Sequence, residues 1–162
     1  MDKPLILAVC GTKNSGKTTL ITRLVPELTN AGYKVAVIKH DGHDFSCDVP
    51  GTDSYRFSQT GAYGVAVFSD HRMMVHKTGT GEDEKDLIRL FPEADIILLE
   101  GFKDHPYMKI EIVRKGISDR PVSNPENRIM IVTDHPAEMF DERVLGLDDI
   151  RGIAESILSY LQ

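Results

Sequence analysis

Cysteine is nearly missing from this chain. Its two residues, Cys10 and Cys47, exclude a disulfide framework, and the position of Cys10 in the apolar run LILAVC reads as a buried thiol. A reducing, cytoplasmic setting is the expectation. Basic residues are also in the minority: 19 Lys and Arg face 25 Asp and Glu, a formal net charge of -6. That balance argues against non-specific attraction to nucleic acid or anionic lipid. No apolar stretch comes near the roughly 20 residues that cross a bilayer, so no membrane association is expected. Internal repeats, low-complexity tracts and long linkers are absent. The N-terminal apolar run leads straight into a glycine-rich loop that cleavage would destroy, so a signal peptide is not expected. At 162 residues, 41% apolar and 27% charged, residues 1–162 read as one globular domain with a substantial core.

What the chain does have is GTKNSGKTTL at residues 11–20, directly after the apolar run. Gly11, Gly16, Lys17 and Thr18 fit G-x-x-x-x-G-K-[ST], the pattern of a loop that cradles nucleotide phosphates. Successive backbone N–H groups of Gly11, Thr12, Lys13, Asn14, Ser15 and Gly16 are expected to form an anion-binding nest. The helix starting near Gly16 adds its positive end, with Thr19 in its first turn. Lys17 is expected to reach the β and γ phosphates, and Thr18 to offer its hydroxyl to magnesium. Lys13 is read either as a phosphate contact or as a solvated loop lysine.

Around this loop the pattern is α/β. Leu5 to Cys10 reads as a buried strand. Gly16 to about Leu28 reads as a helix with Leu20, Leu24 and Leu28 on one face, and Pro26 within it predicts a kink or an early end. Asn30-Ala31-Gly32 is a stop signal, and Lys34 to Lys39 is a second strand. Thr52 is a candidate N-cap for a helix to about Thr60. Val65–Phe68 and Arg72–Lys77 read as an antiparallel hairpin, Glu82–Leu90 as a helix, and Ile96–Leu99 as a buried strand. Lys109–Val113 alternates as a half-exposed strand would; Ile129–Val132 is another buried run, and the chain closes on an amphipathic helix from Ile150. The fold class is therefore α/β, a mainly parallel, mixed sheet of the P-loop NTPase type with helices on both faces.

A P-loop protein needs an acidic residue at the end of a neighbouring strand to organise magnesium. In ADIILLEG, Asp95 and Glu100 bracket the apolar run. Ligands of open α/β sheets sit at the carboxyl ends of strands, which selects Glu100 as the metal-side and catalytic carboxylate. The segment KHDGHDFSCDVPGTDSYRF gathers His40, Asp41, His43, Asp44, Cys47 and Asp48. It reads as a nucleotide-sensing switch loop in which Asp41 contacts magnesium through water. Zinc binding and a plain solvated turn are the alternatives.

Three segments, GTKNSGKTT, KHDGHDFSCDVPGTDSYRF and LLEGFKDHPYMKIEI, together resemble the molybdopterin-guanine dinucleotide biosynthesis protein B family. The likeness runs from the first strand to about Val113. It implies a GTP-binding P-loop protein with weak GTPase activity and magnesium dependence. It further implies an adaptor role in molybdenum cofactor maturation, a homodimer, and a nucleotidyltransferase partner that joins GMP to molybdopterin, with molybdopterin itself as a further candidate ligand. No intact [NT]-K-x-D guanine signature is present. Asp134, at a strand end after Thr133, is the nearest substitute, since a carboxylate can accept from the guanine N1 and N2 donors. Lys13 stands one position later than the intersubunit lysine of related dimeric ATPases and is not assigned that role. A P-loop small-molecule kinase and a metal-delivery GTPase are the competing functions.

Overall fold

The computed structural model describes residues 4–41, 45–79, 81 and 83–161. The apolar runs become parallel strands because each is covered on both faces, which removes any need for a polar side. Strands β1 (Leu5–Gly11), β2 (Val35–Lys39), β5 (Ile96–Glu100), β6 (Met108–Val113), β7 (Arg128–Thr133) and β8 (Val144–Gly146) form a six-stranded sheet ordered β2-β5-β1-β6-β7-β8. Every pairing in it is parallel. The antiparallel component of the expected mixed sheet is separate: β3 (Gly64–Phe68) and β4 (Met73–Lys77) pair only with each other.

Alternation along the strands divides the core in two. Leu7, Val9, Ile96, Leu98, Ile110, Ile112, Met130 and Val132 pack against α1 (Lys17–Asn30) and α4 (Ile150–Leu158). Ala8, Cys10, Ile38, Ile97 and Leu99 line the opposite face, where Ile88 of the short α3 (Glu84–Ile88) joins them. Helices thus cover both faces. Glu82, expected at the start of α3, lies outside the described residues.

Pro26 does not end α1, which continues to Asn30. A proline inside a helix costs about 3 kcal/mol, but Leu24 and Leu28 on either side of it are fully buried, and that packing holds both halves in line. The helix stops where expected, at Gly32 with φ 95°.

Strand β6 departs from the half-exposed reading. It lies between β1 and β7, and the charged members of its alternation are sealed: Lys109 is 0% and Glu111 1% exposed. Each has its own partners, as a buried charge requires. Lys109 Nζ donates to the carbonyls of Tyr107 (3.0 Å) and Glu126 (2.8 Å). Glu111 accepts from the Ser123 amide and hydroxyl and from the Val122 amide, with Arg128 Nη1 3.5 Å away. Arg128 in turn pairs with Glu142.

The chain divides into two compact units, one ending at His40 and resuming at Glu84, the other spanning Asp41–Asp83. The second unit holds α2 (Asp53–Ser58) and the β3–β4 hairpin. Thr52 caps α2 by accepting from the Tyr55 amide, as its position predicts. Phe68 and Met73, paired across the hairpin, are 83% and 76% exposed. Among the described residues no helix is long and apolar enough to cross a membrane.

Candidate functional site

The loop between β1 and α1 turns sharply because two of its residues are glycine. At Gly11, φ is 142°, and a Cβ would stand 2.5 Å from Ser15 Oγ and 2.8 Å from the Ile112 carbonyl. At Gly16, φ is 105°, which sets the left-handed entry into α1. The first amides of α1 have no carbonyl to reach within the helix and face the loop's concavity as donors. Lys17 Nζ folds over the loop, donating to the carbonyls of Gly11 (3.1 Å) and Thr12 (2.8 Å). Thr12 Oγ1 and Ser15 Oγ are buried with no hydrogen-bond partner. A buried orphan hydroxyl is rare in a folded chain; two in one loop fit a site built to receive an anionic group.

Parallel pairing brings the acidic element to this loop. Val9 of β1 lies opposite Glu100 of β5, and Thr18 Oγ1 donates to Glu100 Oε1 at 2.9 Å. A hydroxyl and a carboxylate this close, next to an ammonium, are the oxygen donors a hard divalent cation takes. Asp95 sits at the other edge of the sheet, accepting from the Lys34 amide at 2.7 Å. The choice of Glu100 over Asp95 rests on that geometry.

The loop borders a cleft of about 460 Å³ lined by Lys13, Lys17, Lys39 and Arg114 with Glu100 as its carboxylate, together with Asn14, Gly16, Thr18 and Thr19. Four cations around one acid make this a locally positive site in a chain of net charge -6. Sequence reading did not single out Lys39 or Arg114. Each stands at the carboxyl end of a parallel strand or directly after it, the signal that could have found them.

Asp134 follows β7 at the same carboxyl edge. Its Oδ1 accepts from the Lys115 amide at 2.8 Å, and that bond is the main cause holding its carboxyl below the usual range. Asp41 belongs to the second unit. Of the loop around it, Gly42, His43 and Asp44 lie outside the described residues. Asp48 accepts from the Val49 amide at 2.7 Å and from Thr52 Oγ1 at 3.3 Å, a turn into α2. Among the described residues no group of three or more His, Cys, Asp or Glu gathers as a metal site.

Cys10 donates its thiol to the Gly101 carbonyl at 3.1 Å. Burial first, and the Glu111 carboxylate second, push its pKa up to about 12. The thiolate, the reactive form, is therefore suppressed. Maleimide is expected to modify Cys47, which is exposed, and to spare Cys10 until the chain is denatured. Peptide mass spectrometry reads this; native labelling of Cys10 as fast as Cys47 would contradict the burial.

Residues 6–134 match the family model described as molybdopterin guanine dinucleotide synthesis protein B. The molybdopterin-guanine dinucleotide biosynthesis adapter protein of Escherichia coli (strain K12) is 34% identical, over 97% of this chain and 93% of its own. That of Haemophilus influenzae is 32% identical, over 96% and 89%. The crystal structure of Bacillus subtilis MobB superposes with a TM-score of 0.76 at 27% identity, covering 97% of this chain and 98% of that one.

Proposed function

The chain belongs to the molybdopterin guanine dinucleotide synthesis protein B family, and from that membership we propose that it is an adaptor in molybdopterin guanine dinucleotide biosynthesis that binds GTP with magnesium and hydrolyses it slowly. The observation that carries the nucleotide half of this reading is the 2.9 Å contact of Thr18 with Glu100 beside the Lys17 ammonium.

In this reading the amides from Gly11 to Thr19 hold phosphate oxygens, and Lys17 exchanges its two loop carbonyls for the β and γ phosphates. Thr18 and Glu100 hold magnesium. Held there, magnesium would supply positive charge to the phosphoryl oxygens, beside that of Lys17. Among the described residues lining the cleft, Glu100 is the one carboxylate, and it is assigned to the metal. Slow turnover is part of this proposal, with a partner as the source of a group that positions the attacking water. Asp134 is assigned to guanine, its carboxylate kept ionised by the Lys115 amide.

The partner proposed is the nucleotidyltransferase that attaches GMP to molybdopterin. A homodimer is proposed as well; the exposed apolar side chains of the β3–β4 hairpin support it, since contiguous apolar surface of this kind marks association. The sparse, unpaired cysteines support a cytoplasmic setting.

Glu100→Gln tests the metal assignment. The amide preserves shape and loses charge, so GTP binding is expected to persist while magnesium-dependent hydrolysis falls by about tenfold or more. Asp95→Asn is expected to leave turnover unchanged. Phosphate release assayed over a magnesium titration decides the matter. A silent Glu100→Gln with loss in Asp95→Asn would move the metal to the other edge of the sheet.

A further inference from the structure

In the nucleotide reading the glycine loop holds a phosphate chain and Glu100 a metal beside it. Neither role accounts for Lys39, which lines the same cleft from the end of β2. We propose that Lys39 is a second phosphate-binding ammonium, directed to the terminal phosphate that a nucleoside triphosphate has and a diphosphate lacks. The inference rests on the nucleotide reading above and adds the residue that tells the two nucleotide states apart.

Strand pairing sets where this cation stands. Lys39 is in register with Glu100, and Glu100 with Val9 of β1. Val9, Ile96, Leu98 and Val35 all pack in the core cluster beneath α1. Alternation along β2 and β5 then puts Lys39 and Glu100 on that same face, where α1 begins. Neighbouring strands lie about 4.8 Å apart, a gap that the four-carbon stem of a lysine spans. Lys39 is exposed, on the edge strand of the sheet. The other cleft cations are placed differently. Lys13 and Lys17 belong to the loop and the first turn of α1, and Arg114 follows β6, on the side of β1 away from Glu100. Lys39 is thus the cleft cation that lies beyond the carboxylate.

That side is the one a terminal phosphate takes. A magnesium ion in such a site bridges β- and γ-phosphate oxygens, so the phosphate found only in the triphosphate belongs with the metal and Glu100. An ammonium there meets the most concentrated negative charge of the ligand, and a compact point charge suits a phosphate. The backbone that carries Lys39 is also anchored past the last strand pair. The ring of His40 meets that of Phe102 edge-on, with centroids 6.2 Å apart, and Phe102 packs in the same way on His105 at 5.2 Å. Phe102 comes two residues after Glu100 and has a φ of 57°, in the left-handed region that a bulky side chain keeps only where its surroundings hold it. Between them, the Gly101 amide donates to the Val9 carbonyl at 2.9 Å. The ends of β2, β5 and β1 are therefore tied together at the residues that face the cleft.

Calorimetric titration of the full chain in excess magnesium, with a non-hydrolysable GTP analogue and separately with GDP, tests the inference. Lys39→Met keeps the apolar stem and loses the charge. It is expected to weaken the analogue by about tenfold and GDP by less than about twofold. Lys39→Arg, which keeps the charge, is expected to retain most of the parent's ratio of analogue to GDP affinity. Lys39→Gln, polar at the same exposed position, decides the case if Lys39→Met does not fold. Equal weakening of both ligands would make Lys39 a general attractor of anions, and unchanged affinities would take it out of the site. Either result overturns the assignment of Lys39 while the phosphate loop stands. A parent chain that binds neither the analogue nor GDP overturns the nucleotide reading itself.

Discussion

Lys17→Ala is expected to yield a folded chain that has lost GTP affinity by about 100-fold or more, the largest functional effect of any single change in the loop. The ammonium is the cation placed over the loop, and its present partners are the Gly11 and Thr12 carbonyls. A triphosphate offers stronger, charged acceptors, so the same nitrogen trades two neutral bonds for charge-assisted ones. Without it, the β and γ phosphates face the loop amides alone. Other cleft cations, Lys13, Lys39 and Arg114, remain, so residual binding should be weak and strongly salt-dependent. The fold is expected to survive, because Lys17 contributes nothing to either buried cluster. Calorimetry with GTP and magnesium, beside a thermal melt of each protein, is the measurement. Undiminished affinity in a folded variant would remove the assignment of the site.

Glu111→Ala is expected to be the most destabilising substitution, at about 3–5 kcal/mol. The carboxylate is 1% exposed and accepts from Val122, from Ser123 and from Arg128. Its removal takes one acceptor from a guanidinium that is itself only 9% exposed and leaves the Val122 and Ser123 amides without their carboxylate partner. Arg128 keeps Glu142, which sets a ceiling on the loss. Glu111→Gln should cost less, since the amide oxygen still accepts. Urea unfolding of the three proteins at one pH ranks them; a Glu111→Ala chain within about 1 kcal/mol of the parent would mean the network contributes little net stability.

Much of the geometry around the glycine loop is legible in the sequence because its determinants are local or follow from strand polarity. The glycine spacing fixes the turn, and the carboxyl-edge rule separates Glu100 from Asp95 without knowledge of strand order. Thr52 is read as a cap from its residue type at the start of a helical segment and behaves as one. The misreadings share a different origin. Alternation along β6 locates the face that Lys109 and Glu111 share, but not whether that face meets water or a sealed polar network. Burial there depends on Ser123 and Arg128, which are remote in sequence. Lys39 and Arg114 become cleft residues only once β2 and β6 are known to end beside the loop. The three residues of β8 are too few to show a period, and β5 separates β1 from β2, an order no local pattern encodes.

Because β5 and β6 flank β1, the loop's surroundings depend on contacts that are distant in sequence. Thr18 and Glu100 are 82 positions apart, and Arg114 lies further along still. A chain emerging from the ribosome carries the complete glycine motif early, yet has neither the carboxylate nor the arginine to complete it until most of the sheet has been synthesised. Contacts of such long range are slow to close. On the proposed reading, nucleotide would act on the finished sheet and not template it: GTP should slow unfolding of the native protein and leave the early phase of refolding unchanged.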